Sequence, residues 1–304
     1  MKQIIENEGG RIDEILQQLG PVIRQTMVGA IGIIQHEAST FVAQKKEHYD
    51  GHSEDVVTTA DRAAQEHYVV AFTAAFPELG LLGEEDGLNK ACTLDGEDIY
   101  ITIDPLDGTK AFARKQSFGV GTMVAVVRND EVIAAYIGDV NTGEIYGFAP
   151  SEPTPTRTRF GVQEPLRPDL ETPLAQTYAL INLAPHRLPE LVQTLVRRPN
   201  EGGLFKDIHV FGGSFGIWCT RLWKGEVTAL LLDPAYETPW DRTPVIGFHK
   251  ALGFRTLNVG NDGAVYTDDE FKPRRDVHED PFFRLVVHES RVQEILNWFA
   301  KAKK

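Results

Sequence analysis

Cysteine is scarce, with only Cys92 and Cys219 in 304 residues. This excludes a disulfide framework or a cysteine-rich zinc centre and fits a reducing, cytoplasmic setting. No apolar run approaches the roughly 20 residues needed to span a bilayer. The opening residues, Met1 to Glu8, are acidic and lack the apolar core of a secretory signal, so a soluble chain is expected. Positive charge is in deficit too: 31 Lys and Arg against 44 Asp and Glu give a formal net charge of -13. That balance argues against nucleic acid polymers and anionic membranes as partners. The histidines form no His-Glu-x-x-His pair, and neither a Gly-x-Ser-x-Gly elbow nor a loop ending in Gly-Lys-Ser/Thr occurs. Zincin, common serine-hydrolase and nucleotide-hydrolase chemistries are thereby set aside. Neither Asp104 to Thr109 nor Asp262 to Glu270 has the spacing of a calcium-binding helix-loop-helix.

What is present is an ordinary globular composition, 42% hydrophobic and 25% charged. Apolar residues recur at helical spacing from Arg11 to His36, with Pro21 expected to kink one helix or start a second. Lys45 to Gly51 reads as a polar hairpin or loop, and a helix from about Ala63 ends at Phe76-Pro77. Leu79 to Leu82 and Ile99 to Ile103 read as strands. Runs at Phe118 to Val127, Glu131 to Asp139 and Glu144 to Phe148, separated by turn residues, predict an antiparallel meander. The proline-rich tract from Pro150 to Pro173 is the expected junction between two halves, 1–150 and 174–304, of one domain. The second half predicts strands at Tyr178 to Leu183, Ile208 to Phe211 and Val227 to Leu232. Its helices are expected at Leu188 to Arg198, from Gly212-Gly213-Ser214 to Trp223, from Pro239-Trp240-Asp241 to Leu252, and at Ser290 to Ala300. Asn261-Asp262-Gly263 reads as a hairpin turn.

Chemistry concentrates after the strand at Ile99 to Ile103, in Asp104-Pro105-Leu106-Asp107-Gly108-Thr109. Open α/β sheets place ligands at the carboxyl ends of strands. Two carboxylates about 4 Å apart at an effective dielectric of about 20 repel by roughly 4 kcal/mol, a penalty that Mg²⁺ or Ca²⁺ reverses. The earlier strand at Leu79 to Leu82 also ends in acids, Gly83-Glu84-Glu85-Asp86. Two adjacent strands ending this way would bring Glu84 or Glu85 towards Asp104 and Asp107.

Four segments in order, Asp55-Val56-Val57-Thr58-Thr59-Ala60-Asp61, Gly83-Glu84-Glu85, Asp104 to Thr109, and Trp240-Asp241, resemble the inositol monophosphatase family of Mg²⁺-dependent, lithium-sensitive phosphatases. The resemblance implies a layered α/β fold of alternating helix and sheet layers, usually a homodimer, acting on a small phosphorylated metabolite. It implies two or three Mg²⁺ ions. Glu84, Asp104 and the Leu106 carbonyl would hold the first, Asp104, Asp107 and Asp241 the second, and a third would rest near Glu84. It places phosphate against Gly108 and Thr109 and has Thr109, with Glu84 or Asp55, activate water. Asp61 is expected to cap or tether its helix. Gly213 and Ser214 would lie by the substrate's alcohol portion, although glycines there equally allow close packing. Departures touch the substrate. Arg242-Thr243-Pro244 follows Trp240-Asp241 where the family has small residues, and Pro234 stands where the inositol enzymes carry a glutamate. Lys110 resembles relatives that hydrolyse nucleotide 3′-phosphates or histidinol phosphate, and Lys110, Arg114, Lys115 and Arg242 are candidates for a second anionic group. A catalytically silent binding module is the alternative of another class.

Overall fold

The computed structural model describes residues 2–47, 49, 54–260, 264–268 and 272–302. Helix α1 (Lys2–Glu37) runs unbroken through Pro21. Proline removes one backbone hydrogen bond, but Leu19, Ile23, Met27 and Ile34 form a fully buried stripe on either side of it, so packing overrides the local break. The strands β1 (Ala43–Glu47) and β2 (Glu54–Thr58) pair antiparallel across the polar stretch, of which 48 and 50–53 lie outside the described residues. Helix α2 (Thr59–Ala75) follows, then β3 (Gly80–Gly83), β4 (Asn89–Lys90), β5 (Ile99–Asp107) and the single turn α3 (Thr109–Ala113). The meander is β6 (Gly121–Arg128), β7 (Glu131–Asp139) and β8 (Ile145–Ala149).

The proline-rich tract is not a bare junction. It carries β9 (Glu152–Arg159) and β10 (Val162–Pro165), which extend the sheet in the order β10-β9-β8-β7-β6-β5-β3-β4. Prolines are admitted here because Pro165 lies on the edge strand β10, while Pro153 and Pro155 of β9 fall outside the registers with β10 and β8, where a missing N–H costs fewest ladder bonds.

The second sheet is built from β11 (Tyr178–Ile181), β12 (Asp207–Val210), β13 (Ala229–Leu232), β15 (Phe254–Val259), β16 (Val265–Asp268) and β18 (Phe283–His288). The expected turn at Asn261-Asp262-Gly263 lies outside the described residues, and β15 and β16 pair antiparallel on either side of it. A separate ladder joins β14 (Ala235–Glu237) to β17 (His278–Asp280). The helices of this half are α4 (Glu190–Leu195), α5 (Phe215–Trp223), α6 (Pro239–Leu252) and α7 (Val292–Ala302). Helix α5 starts at Phe215 rather than at the glycines because the Ser214 hydroxyl accepts the Ile217 N–H and caps it.

Three apolar clusters define five layers. Alternation along β6 sends Val124 and Val126 towards α1 and α2, and Met123 and Ala125 towards α5 and α6. The second sheet closes that inner layer on its other side and packs its outer face against α4 and α7. This is the layered α/β architecture expected. The same alternation along β5 puts Ile99, Ile101 and Ile103 under α2, so Asp104 falls on the opposite face with Tyr100 and Thr102. Trp240 of α6 packs there against Leu82, Tyr100 and Val127.

Candidate metal centre and active site

Strand β3 lies parallel to β5 and in register with it, Gly83 opposite Ile103, and the Glu84 N–H bonds the Ile103 carbonyl at 3.2 Å. The two acidic strand ends are therefore side by side. Past Asp104 the β5–β6 register shifts, so Asp107 pairs with Gly121 and both aspartates are presented to one place. Asp104 Oδ1 accepts the Leu106 N–H at 3.0 Å, which fixes its rotamer.

Asp107 is held by the start of α5. It accepts the Ser214 hydroxyl at 2.5 Å, the Gly216 N–H at 2.7 Å and the Phe215 N–H at 3.0 Å. Asp241 sits in the first turn of α6, where Thr238 caps the helix and donates its hydroxyl to Asp241 at 2.7 Å. The result is a triad, Asp104, Asp107 and Asp241, with one oxygen from each lying within 4.8 Å of the others. Burial drives the Asp104 carboxyl well above its ordinary range, reinforced by Glu84, Asp241 and Asp107. Burial and Asp241 push Asp107 up to about 7, and burial likewise raises Asp241. Crowded, buried, hard oxygen donors of this kind fit a divalent cation such as Mg²⁺.

Glu84 borders the same cavity, with its carboxyl raised to about 8 by burial despite Lys46. The Lys46 ammonium on β1 lies 2.7 Å from both Glu84 and Glu85. Burial works against the Lys46 charge, but the two glutamates outweigh it and hold its pKa up. Lys46 was not among the expected site residues, and no local pattern marks it, because its partners lie on another strand.

The Leu106 carbonyl, Gly108, Thr109, Lys110, Arg114 and Gly213 complete a cavity of about 260 Å³ around these acids. Gly108 has φ 91°, and a Cβ there would lie 2.5 Å from the Gly119 carbonyl oxygen, so only glycine fits. Gly213 lines the cavity and packs against Gly119. Ser214 is a correction: expected beside the substrate alcohol, it is fully buried and spent on Asp107 and Ile217.

Thr109 also departs from expectation. Its hydroxyl lies 3.0 Å from Asp61 Oδ1 and 3.0 Å from the Leu106 carbonyl, and no hydrogen bond joins it to Asp55 or Glu84 among the described residues. Asp55 instead pairs with Lys110 at 3.3 Å. Asp61 does cap α2, accepting the Thr58 N–H at 2.7 Å in a capping box, and its other oxygen reaches Thr109. Burial raises the Asp61 carboxyl to about 6, against the Thr58 and Thr109 bonds. Arg242 pairs with Glu237 at 2.6 Å and borders a neighbouring cavity rather than this one, and Lys115 lines neither.

Fold and site together define a layered α/β protein with a buried carboxylate centre at the carboxyl ends of adjacent strands. The chain belongs to the inositol monophosphatase family, whose model matches residues 16–244. It is 25% identical over 147 residues to human 3'(2'),5'-bisphosphate nucleotidase 1, covering 40% of this chain and 43% of that protein. It is 29% identical over 140 residues to Bacillus subtilis inositol-1-monophosphatase, covering 44% and 46%. The aligned stretches span less than half the length of these curated relatives. Among solved structures, the extragenic suppressor protein suhB of Bartonella henselae superposes with a TM-score of 0.68 at 18% identity, over 92% of this chain and 98% of that one. An IMPase/NADP phosphatase complexed with NADP and Ca2+ gives 0.68 at 19%, over 93% and 95%. These likenesses establish the fold.

Proposed function

We propose that the chain is a Mg²⁺-dependent phosphomonoesterase that hydrolyses the phosphate ester of a small alcohol. The observation that carries this reading is the buried Asp104, Asp107 and Asp241 triad, three crowded carboxyls whose mutual repulsion a bound divalent cation relieves without proton uptake. Asp104, Asp107 and Asp241 would hold one ion. Glu84, Asp104 and the Leu106 carbonyl would hold another once Glu84 is released from Lys46. Bound there, Mg²⁺ supplies Lewis-acid polarisation of the ester and a lowered pKa for water.

The chain's own residues do the rest. The Thr109 oxygen accepts a proton from the attacking water while its own hydroxyl proton passes to Asp61 Oδ1, 3.0 Å away. Asp61, raised to about 6, is a stronger base than an ordinary carboxylate and is still ionised at neutral pH. Thr58 holds it in place from the other side. Gly108 and Lys110 line the cavity where the phosphate would sit, and Lys110, 3.3 Å from Asp55, would face its charge.

The match to a bisphosphate nucleotidase, together with Lys110 and Arg114 in the cavity wall, favours a nucleotide 3′-phosphate as a second reading of the substrate. Inositol phosphate and histidinol phosphate complete the comparison. A homodimer in the cytoplasm is the expected setting, checked by sedimentation and fractionation. The test of function is phosphate release from a panel of inositol, sugar, nucleotide and histidinol phosphates with and without Mg²⁺. Metal-dependent release from at least one ester is expected. Silence across the panel in folded, Mg²⁺-replete protein would sink the enzyme reading in favour of a binding module.

A further inference from the structure

Helix α2 turns a polar row towards the site. Asp61, Gln65 and Tyr68 are spaced by four and three residues, so they share one face, and all three are buried. Asp61 reaches Thr109. The other two reach the segments that carry Glu84 and Asp104.

The Gln65 amide clasps the backbone of Glu85. Its Oε1 accepts the Glu85 N–H at 2.9 Å and its Nε2 donates to the Glu85 carbonyl at 2.7 Å. Glu84 is thereby fixed on both sides, its own N–H on the Ile103 carbonyl and the next residue on Gln65. Gly83 admits the amide, since a Cβ there would lie 2.7 Å from Gln65 Oε1.

Tyr68 acts through one intermediary. The Thr122 hydroxyl gives its single proton to the Asp104 carbonyl at 3.0 Å, so the Tyr68 hydroxyl, 2.9 Å from Thr122 Oγ1, is the donor between the two. Thr122 is the one residue of β6 between the pairs Asp104 with Met123 and Asp107 with Gly121, where β5 has two, Pro105 and Leu106. Tyr68 and Thr122 therefore pin the start of the bulge that separates the two aspartates.

We infer that Gln65 and Tyr68 are positioning residues of the cation site: through the Glu85 backbone and through Thr122 they set Glu84 against Asp104 and the Leu106 carbonyl. One helix thus fixes the separation of donors carried by two different strands. Neither side chain lines the cavity. Buried polar groups are paired in any core. What singles out this row is that its bonds end beside the donors, where a supporting contact governs metal affinity.

The inference rests on the metal-dependent reading, and calorimetric titration with Mg²⁺ separates the two. If the folded parent takes up no Mg²⁺, the metal reading falls and this inference with it. Tyr68→Phe loses a single oxygen, and Thr122→Val keeps the side-chain shape without the hydroxyl. Each should weaken Mg²⁺ binding by about 10–100-fold, and Thr122→Ser should restore it. Because the two act in series, the double variant should bind no more weakly than Thr122→Val alone. Gln65→Met fills the same space without the amide and should weaken Mg²⁺ binding by a similar factor. Tyr136→Phe removes an equally buried hydroxyl from β7, outside the cavity, and should leave the affinity unchanged. Turnover gives a second readout. The Mg²⁺ concentration for half-maximal rate should rise in Tyr68→Phe by the same factor as Kd, with kcat recovered at saturating Mg²⁺. Unchanged Mg²⁺ affinity in Tyr68→Phe and Gln65→Met, whatever their melting temperatures, makes the row purely structural and overturns the inference. An equal loss in Tyr136→Phe overturns it too, and unchanged affinity in one variant alone removes that residue from the assignment. If the affinities change as stated but no ester is hydrolysed, the positioning role is upheld and the phosphatase reading falls.

Discussion

Thr109 and Asp61 carry the sharpest expectations. Thr109→Val and Asp61→Asn should each lower kcat by about 10²–10⁴-fold. Metal-induced stabilisation should persist in both, since neither belongs to the triad, and thermal scans with and without Mg²⁺ separate the two effects. The pair was legible only in part. Thr58-x-x-Asp61 announces a capping box, and Thr109 follows the Asp-Gly turn, but nothing local says that one carboxylate serves both. The link is made by tertiary packing of α2 beside β5, so the resemblance pairs Thr109 with Glu84 or Asp55 instead. Asp104→Asn tests the repulsion directly. Its folded pKa lies well above the ordinary 3.9, so the cation-free fold is penalised increasingly as pH rises above that value, and the penalty is absent in acid. At pH 7 the amide variant should be more stable than the metal-free parent by about 1–3 kcal/mol in urea, and should lose the response to Mg²⁺. His249 works with the opposite sign. Burial lowers its pKa to about 3 against about 6.5 in the unfolded chain. It makes no pH-dependent contribution above 6.5, and stability falls by about 1.4 kcal/mol per unit as pH drops from there towards 3. Urea midpoints of His249→Leu should lack that part of the acid slope.

Elements with strong local signals are those found where the sequence places them: β5 from its β-branched run, the meander from its turns, α6 from Pro239 at its first turn and Gly253 at its end. Those missed have weak ones. The strands β14 and β17 are three residues each, below any periodicity, and five of the eight residues of β9 are proline or threonine. Pro21 misleads in the other direction, since the buried stripe of α1 carries the helix across it. The N-terminus of α6 offers a test at this scale. Thr238→Ala removes the cap and the bond that orients Asp241, and should destabilise the fold by about 1 kcal/mol. Mg²⁺ affinity should fall with it, while Thr238→Ser restores both, read by thermal shift across a Mg²⁺ titration.

For the molecule as a whole, stability and function share one linkage. Mg²⁺ at about 100 times its dissociation constant should stabilise the fold by about 2.7 kcal/mol, and equimolar chelator should reverse the gain in a melting experiment. The family and layered fold were legible because their marks are short and local. The second sheet contributes Leu232 and Arg284 to the wall of the cavity that Arg242 borders, and nothing in the sequence around them announces a pocket. The triad also has a temporal side. Asp107 lies on β5 and Asp241 on α6, with the whole meander and half of the second sheet made between them. At about 5–20 residues per second, Asp241 leaves the ribosome on the order of ten seconds after Asp107. A nascent chain would therefore carry an incomplete form of the proposed cation site for that interval, and tight metal capture would mark the arrival of α6. The proposed centre would in effect report that the chain has been made as far as α6, closed by the last of its three ligands to be translated, before the rest of the second sheet is made.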